Sequence, residues 1–209
     1  METKILPKHF PQFDESIYAG FGPRLGAFLL DFLIIIPFAI GFTFLQLVSE
    51  PVFYLTLGIQ LAFFLAYGIF LVKQYGATPG KYIVGIKIVK LDGTDVGWGE
   101  AFMRAFVDVC LTVYGVALAY LAITSIGYGD YQSMGFMERG LAMQNYNPAL
   151  FKIQQWAGLA WGLSELVILF TNVRRRALQD FIGETLVIKR KYQQDALDLV
   201  ADENVEFDS

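Results

Sequence analysis

Residues 25–48 read LGAFLLDFLIIIPFAIGFTFLQLV, and Asp31 is the one ionisable side chain among them. An α-helix needs about 20 mostly apolar residues to cross the hydrocarbon core of a bilayer, and this stretch is long enough. A second apolar stretch, 52–72, follows after the short connection Ser-Glu-Pro. Because so short a connection can only reverse the chain, the two stretches predict an antiparallel helical hairpin in lipid.

Two further apolar stretches, 105–126 and 156–173, bring the predicted spans to four. The composition agrees, since 55% of the residues are hydrophobic and 17% are charged, whereas a soluble domain carries about 25% charged residues. The sequence therefore predicts an all-α membrane protein with four transmembrane helices and the lipid bilayer as its partner.

The distribution of basic residues predicts the orientation of these spans, because Lys and Arg are retained on the cytoplasmic side. Of the 16 Lys and Arg residues, Arg139 and Lys152 lie in the loop between spans three and four. The others lie in segments that four spans would place on the opposite side. We therefore expect both termini in the cytoplasm, in a multi-pass protein of the cell (cytoplasmic or inner) membrane.

This topology divides the chain into three parts. Residues 1–24 form a cytoplasmic N-terminal tail, and residues 25–190 form the transmembrane domain. The last part, 191–209, is rich in Asp and Glu after the basic residue Lys191. A segment with high net charge and few apolar side chains cannot bury a core, so we expect a disordered acidic tail.

The cytoplasmic loop between spans two and three has its own pattern. Residues 82–91, YIVGIKIVKL, alternate and are rich in Ile and Val, and the turn dipeptide Asp92-Gly93 follows. This pattern predicts a short β-hairpin at the cytoplasmic surface. From Trp98 the periodicity becomes helical and predicts an amphipathic helix that leads into span three.

The same loop contains the glycine-rich segment GATPGK at residues 76–81. This segment is one residue short of a phosphate-binding P-loop, and Tyr82 stands where that motif requires Ser or Thr. We expect no nucleotide site here.

Three acids lie within the predicted spans, where an ionisable group costs about 2.5–3.5 kcal/mol at a helix centre. Asp31 follows Arg24 by seven residues and shares its helix face, and Asp108 follows Arg104 by one turn. Glu165 follows GLAWG, a GxxxG element that permits close helix contact. Each acid is a candidate ion or proton site, or else a structural ion pair or hydrogen bond.

Basic residues at the end of span four have two alternative interpretations. Three arginines, 174–176, precede Asp180 by about one turn. They either set the topology alone or complete a cytoplasmic charge network in which opposite charges neutralise one another. The predicted members are Arg24, Asp31, Arg104, Asp108, Arg176 and Asp180.

Three separated blocks of the sequence resemble the RDD family of small bacterial membrane proteins, named for one arginine and two aspartates. The first block, 19–34, reads AGFGPRLGAFLLDFLI, the second covers 76–106, and the third, 174–188, reads RRRALQDFIGETLVI. The resemblance implies that Arg24, Asp31 and Asp180 are the residues for which the family is named. It also implies a possible function, since some members are proposed to act as Na+/H+ or related cation antiporters.

A competing motif is TSIGYGD at residues 124–130, which resembles the selectivity filter of potassium channels. Such a filter follows a short re-entrant helix, and its backbone carbonyls replace the water around the ion. Here the preceding segment, 105–126, looks like a complete span that rises from Arg104. A glycine-rich outer turn is the alternative interpretation.

The remaining residues argue against a metal site, a catalytic site and a cofactor site. With Cys110 as the one cysteine and His9 as the one histidine, a Cys/His metal site is not expected, and no catalytic or cofactor-binding set is seen. We expect no enzyme, no cofactor and no nucleic-acid partner. The leading hypothesis is a homo-oligomeric secondary antiporter that exchanges a monovalent cation for a proton on buried carboxylates. A non-transporting membrane scaffold or partner-binding subunit is the alternative.

Overall fold

The computed structural model describes residues 6–7, 16–171 and 173–198, apart from the side chains of residues 165, 166 and 169. The candidate carboxylate of Glu165 therefore lies outside the described residues, as does the part 199–209 of the predicted acidic tail.

The predicted hairpin is formed by the first two long helices. Helix α1 spans Phe21–Leu45, and α2 spans Glu50–Leu65. The ring centroids of Phe38 and Phe63 lie 4.9 Å apart, so the helices pack side by side. A π-helical segment, Ala66–Phe70, and α3, Leu71–Tyr75, then continue the second arm.

The other two long helices are α5, Trp98–Ile126, and α8, Pro148–Thr171. The predicted amphipathic helix and span three are one continuous helix, because no residue that breaks a helix separates them. Within the described part of the chain, three stretches are long and apolar enough to cross a membrane: Phe21–Leu45, Glu50–Val84 and Trp98–Ile126. A fourth crossing by the 24 residues of α8 stays a prediction, as does the orientation of all spans.

The predicted β-hairpin within the cytoplasmic loop is wrong. Its first three residues belong to α4, Pro79–Val84, since a proline at the first position favours helix initiation. Strand β1, Ile86–Lys90, pairs antiparallel with the distant β2, Thr185–Lys189. The Asp92-Gly93 turn does form, but the chain that returns from it contributes a single bridge between Asp95 and Val89.

The chain consists of two compact units. The first unit contains the described residues of 1–35, 66–106 and 164–209, and the second contains 36–65 and 107–163. Each unit has its own apolar core.

The core of the first unit lies on both faces of the two-stranded sheet. Leu186 and Ile188 pack on one face with Tyr18, and Val187 packs on the other face with Ile86. Side chains alternate between the two faces of a strand, so both faces of β2 are covered. This explains why β2 reads as a continuous apolar run.

The core of the second unit is formed by Phe53 and Leu57 of α2, Ile123 of α5 and Tyr131. Tyr131 belongs to α6, Tyr128–Ser133, which precedes α7, Phe136–Tyr146. The long loop between the predicted spans three and four is therefore largely helical.

The chain after β2 also corrects the sequence prediction. A 3-10 turn, Arg190–Tyr192, is followed by helical residues 193–198. Ala196 is buried against the first core. Because this segment covers the apolar sheet, the folded part of the chain extends at least eight residues beyond the predicted boundary at 190.

A substitution in the sheet tests whether it forms the core of the first unit. Ile188→Ala removes a side chain that is 0% exposed, and such truncations cost about 2–5 kcal/mol. We expect a lower melting temperature of the detergent-solubilised chain, measured by intrinsic fluorescence. Ile83→Ala is the matched control, because Ile83 is 63% exposed. Equal losses in the two variants would contradict the assignment of the core.

Candidate functional site

Asp180 is the centre of the first polar cluster. It lies in the first turn of α9, Leu178–Ile182, and it is 0% exposed. Its Oδ2 accepts a hydrogen bond from the backbone N–H of Ala177 at 2.8 Å. Asp180 therefore caps its own helix, and its carboxylate is fixed relative to the backbone.

Two arginines from other helices meet this carboxylate. Arg24 of α1 donates from Nη1 to Oδ2 at 2.8 Å, and Arg104 of α5 donates from Nη1 to Oδ1. Arg104 also donates to the hydroxyl of Thr185 at 3.0 Å. The side chains of Arg24 and Arg104 are 11% and 4% exposed, so the pairs are shielded from water.

Backbone carbonyls take up further guanidinium donors. Arg24 donates to the carbonyls of Ala19 and Arg175, at 3.1 and 2.7 Å. Arg176 donates to the carbonyls of Thr185 and Asp180, at 3.1 and 2.9 Å. Four of the six residues predicted for the charge network therefore meet at one buried acid: Arg24, Arg104, Arg176 and Asp180. Asp31 and Asp108 have other partners.

Arg176 shows the electrostatic cost of this arrangement. Burial lowers the pKa of its guanidinium, and the nearby charge of Arg174 lowers it further, while Glu184 opposes the shift. Arginine titrates so far above neutral pH that Arg176 stays protonated. The cluster therefore keeps an excess of positive charge.

Asp31 of α1 is the centre of a second polar cluster. Its Oδ1 accepts a hydrogen bond from the hydroxyl of Tyr67 at 2.5 Å and another from the backbone N–H of Gly80 at 2.7 Å. Its Oδ2 accepts from the hydroxyl of Thr78 at 2.6 Å. These hydrogen bonds all come from neutral groups.

The segment GATPGK forms the other side of the Asp31 cluster. Thr78 precedes α4, and Gly80 is its second residue, so Asp31 accepts from the free N-terminal backbone of a neighbouring helix. A β-carbon at position 80 would lie 2.8 Å from the backbone nitrogen of Asp31 and would also clash with the carbonyl oxygen of Ala27. The glycine is required for this approach, by which the segment packs against α1.

The ion pairs expected within single helices are replaced by other partners. Arg24 was predicted to face Asp31, but it donates to Asp180, while Asp31 accepts from hydroxyl and amide groups. The expected partner of Asp108, Arg104, also donates to Asp180. Asp108 lies in the second unit, where its Oδ1 accepts from the indole N–H of Trp161 at 3.0 Å.

The backbone of TSIGYGD is not that of a filter. Residues 124–126 end helix α5, and Tyr128 begins α6. Gly127 between them has a φ of +88° and accepts a hydrogen bond from the N–H of Tyr131 at 3.1 Å. A filter needs an extended segment with its carbonyls pointing into a pore. Helical carbonyls lie along the helix axis instead, so the backbone of this segment does not fit the pore hypothesis.

Sequence reasoning missed Tyr67 and Thr78 as partners of Asp31. Tyr67 lies in the π-helical segment, and Thr78 lies just before Pro79. A Thr before a proline is a recognisable helix-start signal that could have located one of them. Among the described residues, no group of three or more His, Cys, Asp or Glu side chains could hold a metal ion.

One family model matches most of the chain. The model of the RDD family matches residues 18–184, which contain the carboxylates and the arginines of both polar clusters. No curated protein and no solved structure matches the chain.

The close approach at Gly80 can be tested by adding one methyl group. Gly80→Ala forces the backbones of α1 and α4 apart, and overpacking of this kind costs about 1–3 kcal/mol. We expect a lower melting temperature in detergent. Gly58→Ala in α2 is the control, since a β-carbon there meets nothing within 4 Å. A Gly80→Ala variant as stable as the wild type would contradict the described contact.

Removing the acid of the first cluster tests its structural role. Asp180→Asn leaves two shielded guanidiniums without a carboxylate, and breaking such a buried pair costs about 3–5 kcal/mol. We expect little monodisperse protein by size-exclusion chromatography. Asp130→Asn, at an exposed position, should behave like the wild type. An Asp180→Asn protein with unchanged yield and melting temperature would contradict the role given to this carboxylate.

Proposed function

The chain belongs to the RDD family, and on that premise we propose that it is a membrane protein that exchanges a monovalent cation for a proton at Asp31. The proposal rests on the different surroundings of the two family aspartates. It deepens the membrane assignment, which the family and the three apolar stretches support.

The proposed topology has four spans with both termini in the cytoplasm. Helix α8 supplies the fourth crossing, since its 24 residues are long enough at about 1.5 Å per residue. An even number of crossings keeps the basic residues before α1, those between α3 and α5 and those after α8 on the same side of the membrane. Because four helices make a thin wall around an ion pathway, we expect homo-oligomers in the cell membrane.

The observation that carries the proposal is the contrast between Asp31 and Asp180. Asp180 is bound by two arginines, so its charge is permanently compensated and a second cation would be repelled. The partners of Asp31 are Tyr67, Thr78 and a backbone amide, none of which carries a charge. Its negative charge therefore remains available for a proton or a cation.

The hydroxyl groups suit such an exchange. A Tyr or Thr hydroxyl donates to the ionised carboxylate, and after rotation the same oxygen offers a lone pair. Hard cations prefer oxygen ligands, which the carboxylate and both hydroxyls supply. Because a bare charge is costly in lipid, Asp31 would carry either a proton or a cation whenever the site faces the membrane interior. Occupation by one excludes the other, and this couples their movements.

Candidates Asp108 and Glu165 have secondary parts in the proposal. The carboxylate of Asp108 accepts from Trp161, a neutral partner, and its side chain is exposed in the chain as described. It stays a secondary candidate for the proton or cation site. Glu165 is proposed as a further ion or proton site, and this proposal rests only on its position in the sequence.

A structural role is the second candidate function. The hydrogen bond from the Gly80 amide to Asp31 holds the start of α4 against α1, and this contact would be useful in a scaffold that transports nothing. The two candidates differ in their need for the charge of Asp31.

Ion flux in proteoliposomes distinguishes the two functions. The full chain is reconstituted with an internal pH-sensitive dye, and a Na+ or K+ gradient is applied. We expect alkalinisation or acidification that depends on the cation gradient and is lost in Asp31→Asn, because the amide cannot exchange a proton. The melting temperatures of both proteins are measured in parallel.

Asp130→Asn is the matched control and should retain the flux. If Asp31→Asn folds and retains the flux, exchange at Asp31 is excluded. If the wild type shows no flux with any monovalent cation, the scaffold function is favoured.

A further inference from the structure

A basic cavity lies in the first unit where the end of α4 meets the end of β2. Its volume is about 660 Å³. Among the described residues that line it, three are basic and none is acidic: Pro23, Val84, Gly85, Ile86, Lys189, Arg190 and Lys191. A concentration of positive charge without an acid in the lining favours an anionic ligand.

Arg190 is held in place at this cavity by two contacts. Its backbone N–H donates to the carbonyl of Gly85 at 2.8 Å. Its guanidinium lies over the ring of Tyr82, 4.3 Å from the centroid. Stacking of this kind uses the face of the guanidinium and leaves the N–H groups at its edge for a phosphate or carboxylate. Because the Arg190 side chain is already held in place, it loses less conformational entropy when a ligand binds.

An apolar cavity adjoins the basic one through Tyr82. It has a volume of about 320 Å³ and is lined by Leu71, Tyr75, Ala77, Pro79, Tyr82 and Ile83. Tyr75 and Ile83 are 55% and 63% exposed. Arg190 lines the basic cavity and lies over the ring of Tyr82, which lines the apolar cavity, so the two cavities meet at this contact.

We propose that these two cavities bind an anionic phospholipid. Its phosphate lies among Lys189, Arg190 and Lys191, and one acyl chain follows Tyr82 and Ile83 into the apolar cavity. A free phosphate would use only the basic half, whereas a lipid uses both. The basic segments also lie on the predicted cytoplasmic side, and that leaflet of a membrane carries anionic lipids.

Native mass spectrometry of the full chain in a neutral detergent tests this site. The probes are phosphatidylglycerol and phosphatidylcholine with identical acyl chains. We expect phosphatidylglycerol to bind more tightly, and Arg190→Gln to reduce that binding about fivefold, since one base near an anionic surface contributes about that factor. Lys189→Gln/Arg190→Gln/Lys191→Gln should abolish the preference between the two lipids.

Lys152→Gln is the matched control, because it removes an exposed base from another part of the chain. It should leave the preference unchanged. Arg190→Lys keeps the charge but loses the flat stacking surface, and we expect intermediate binding even if the triple variant fails to fold. Inorganic phosphate in excess should displace little lipid.

Three results would overturn the proposal. Equal binding of the two lipids would remove the anionic preference, and unchanged binding in both Arg190 variants would remove the site. Full displacement by inorganic phosphate would show that the basic half acts alone on a free anion.

Discussion

A buried carboxylate between two guanidiniums connects segments that are far apart in the sequence. Asp180 accepts from Arg24 and Arg104, and the three residues belong to α9, α1 and α5. Taking three charges out of water is costly, and only their close mutual contacts and the surrounding carbonyl acceptors offset the cost. The order of the first unit depends on this arrangement, because removal of Asp180 leaves two shielded guanidiniums without a carboxylate.

The second polar cluster follows from the first. Since both arginines are used by Asp180, Asp31 is left with hydroxyl and amide donors. Asp31 and Asp180 thus have opposite environments: the partners of Asp180 include two charged guanidiniums, and those of Asp31 are neutral. This division is what links the fold to the proposed exchange, in which Asp180 maintains the structure and Asp31 changes its ligand.

The sequence predicted the features that depend on composition and local period. The three apolar stretches are long enough to be recognised by length alone, and the start of α5 at Trp98 follows from its helical period. The pairing of β1 with β2 could not be predicted, because the partner strand lies almost 100 residues away and many apolar runs would fit. The partner of Arg24 escaped prediction for the same reason, since the spacing to Asp31 describes one helix and says nothing of Asp180. Close packing at Gly80 depends on a neighbouring backbone, which a single sequence does not reveal.

In the proposed exchange, Asp31 alternates between a proton and a cation while Asp180 stays ionised. Infrared difference spectroscopy of the reconstituted chain, recorded with and without a saturating monovalent cation, tests it most directly. We expect a protonated carboxyl band that disappears when the cation is added, and that is absent from Asp31→Asn but present in Asp108→Asn. A carboxyl band that does not respond to the cation, or that persists unchanged in Asp31→Asn, would rule out exchange at Asp31.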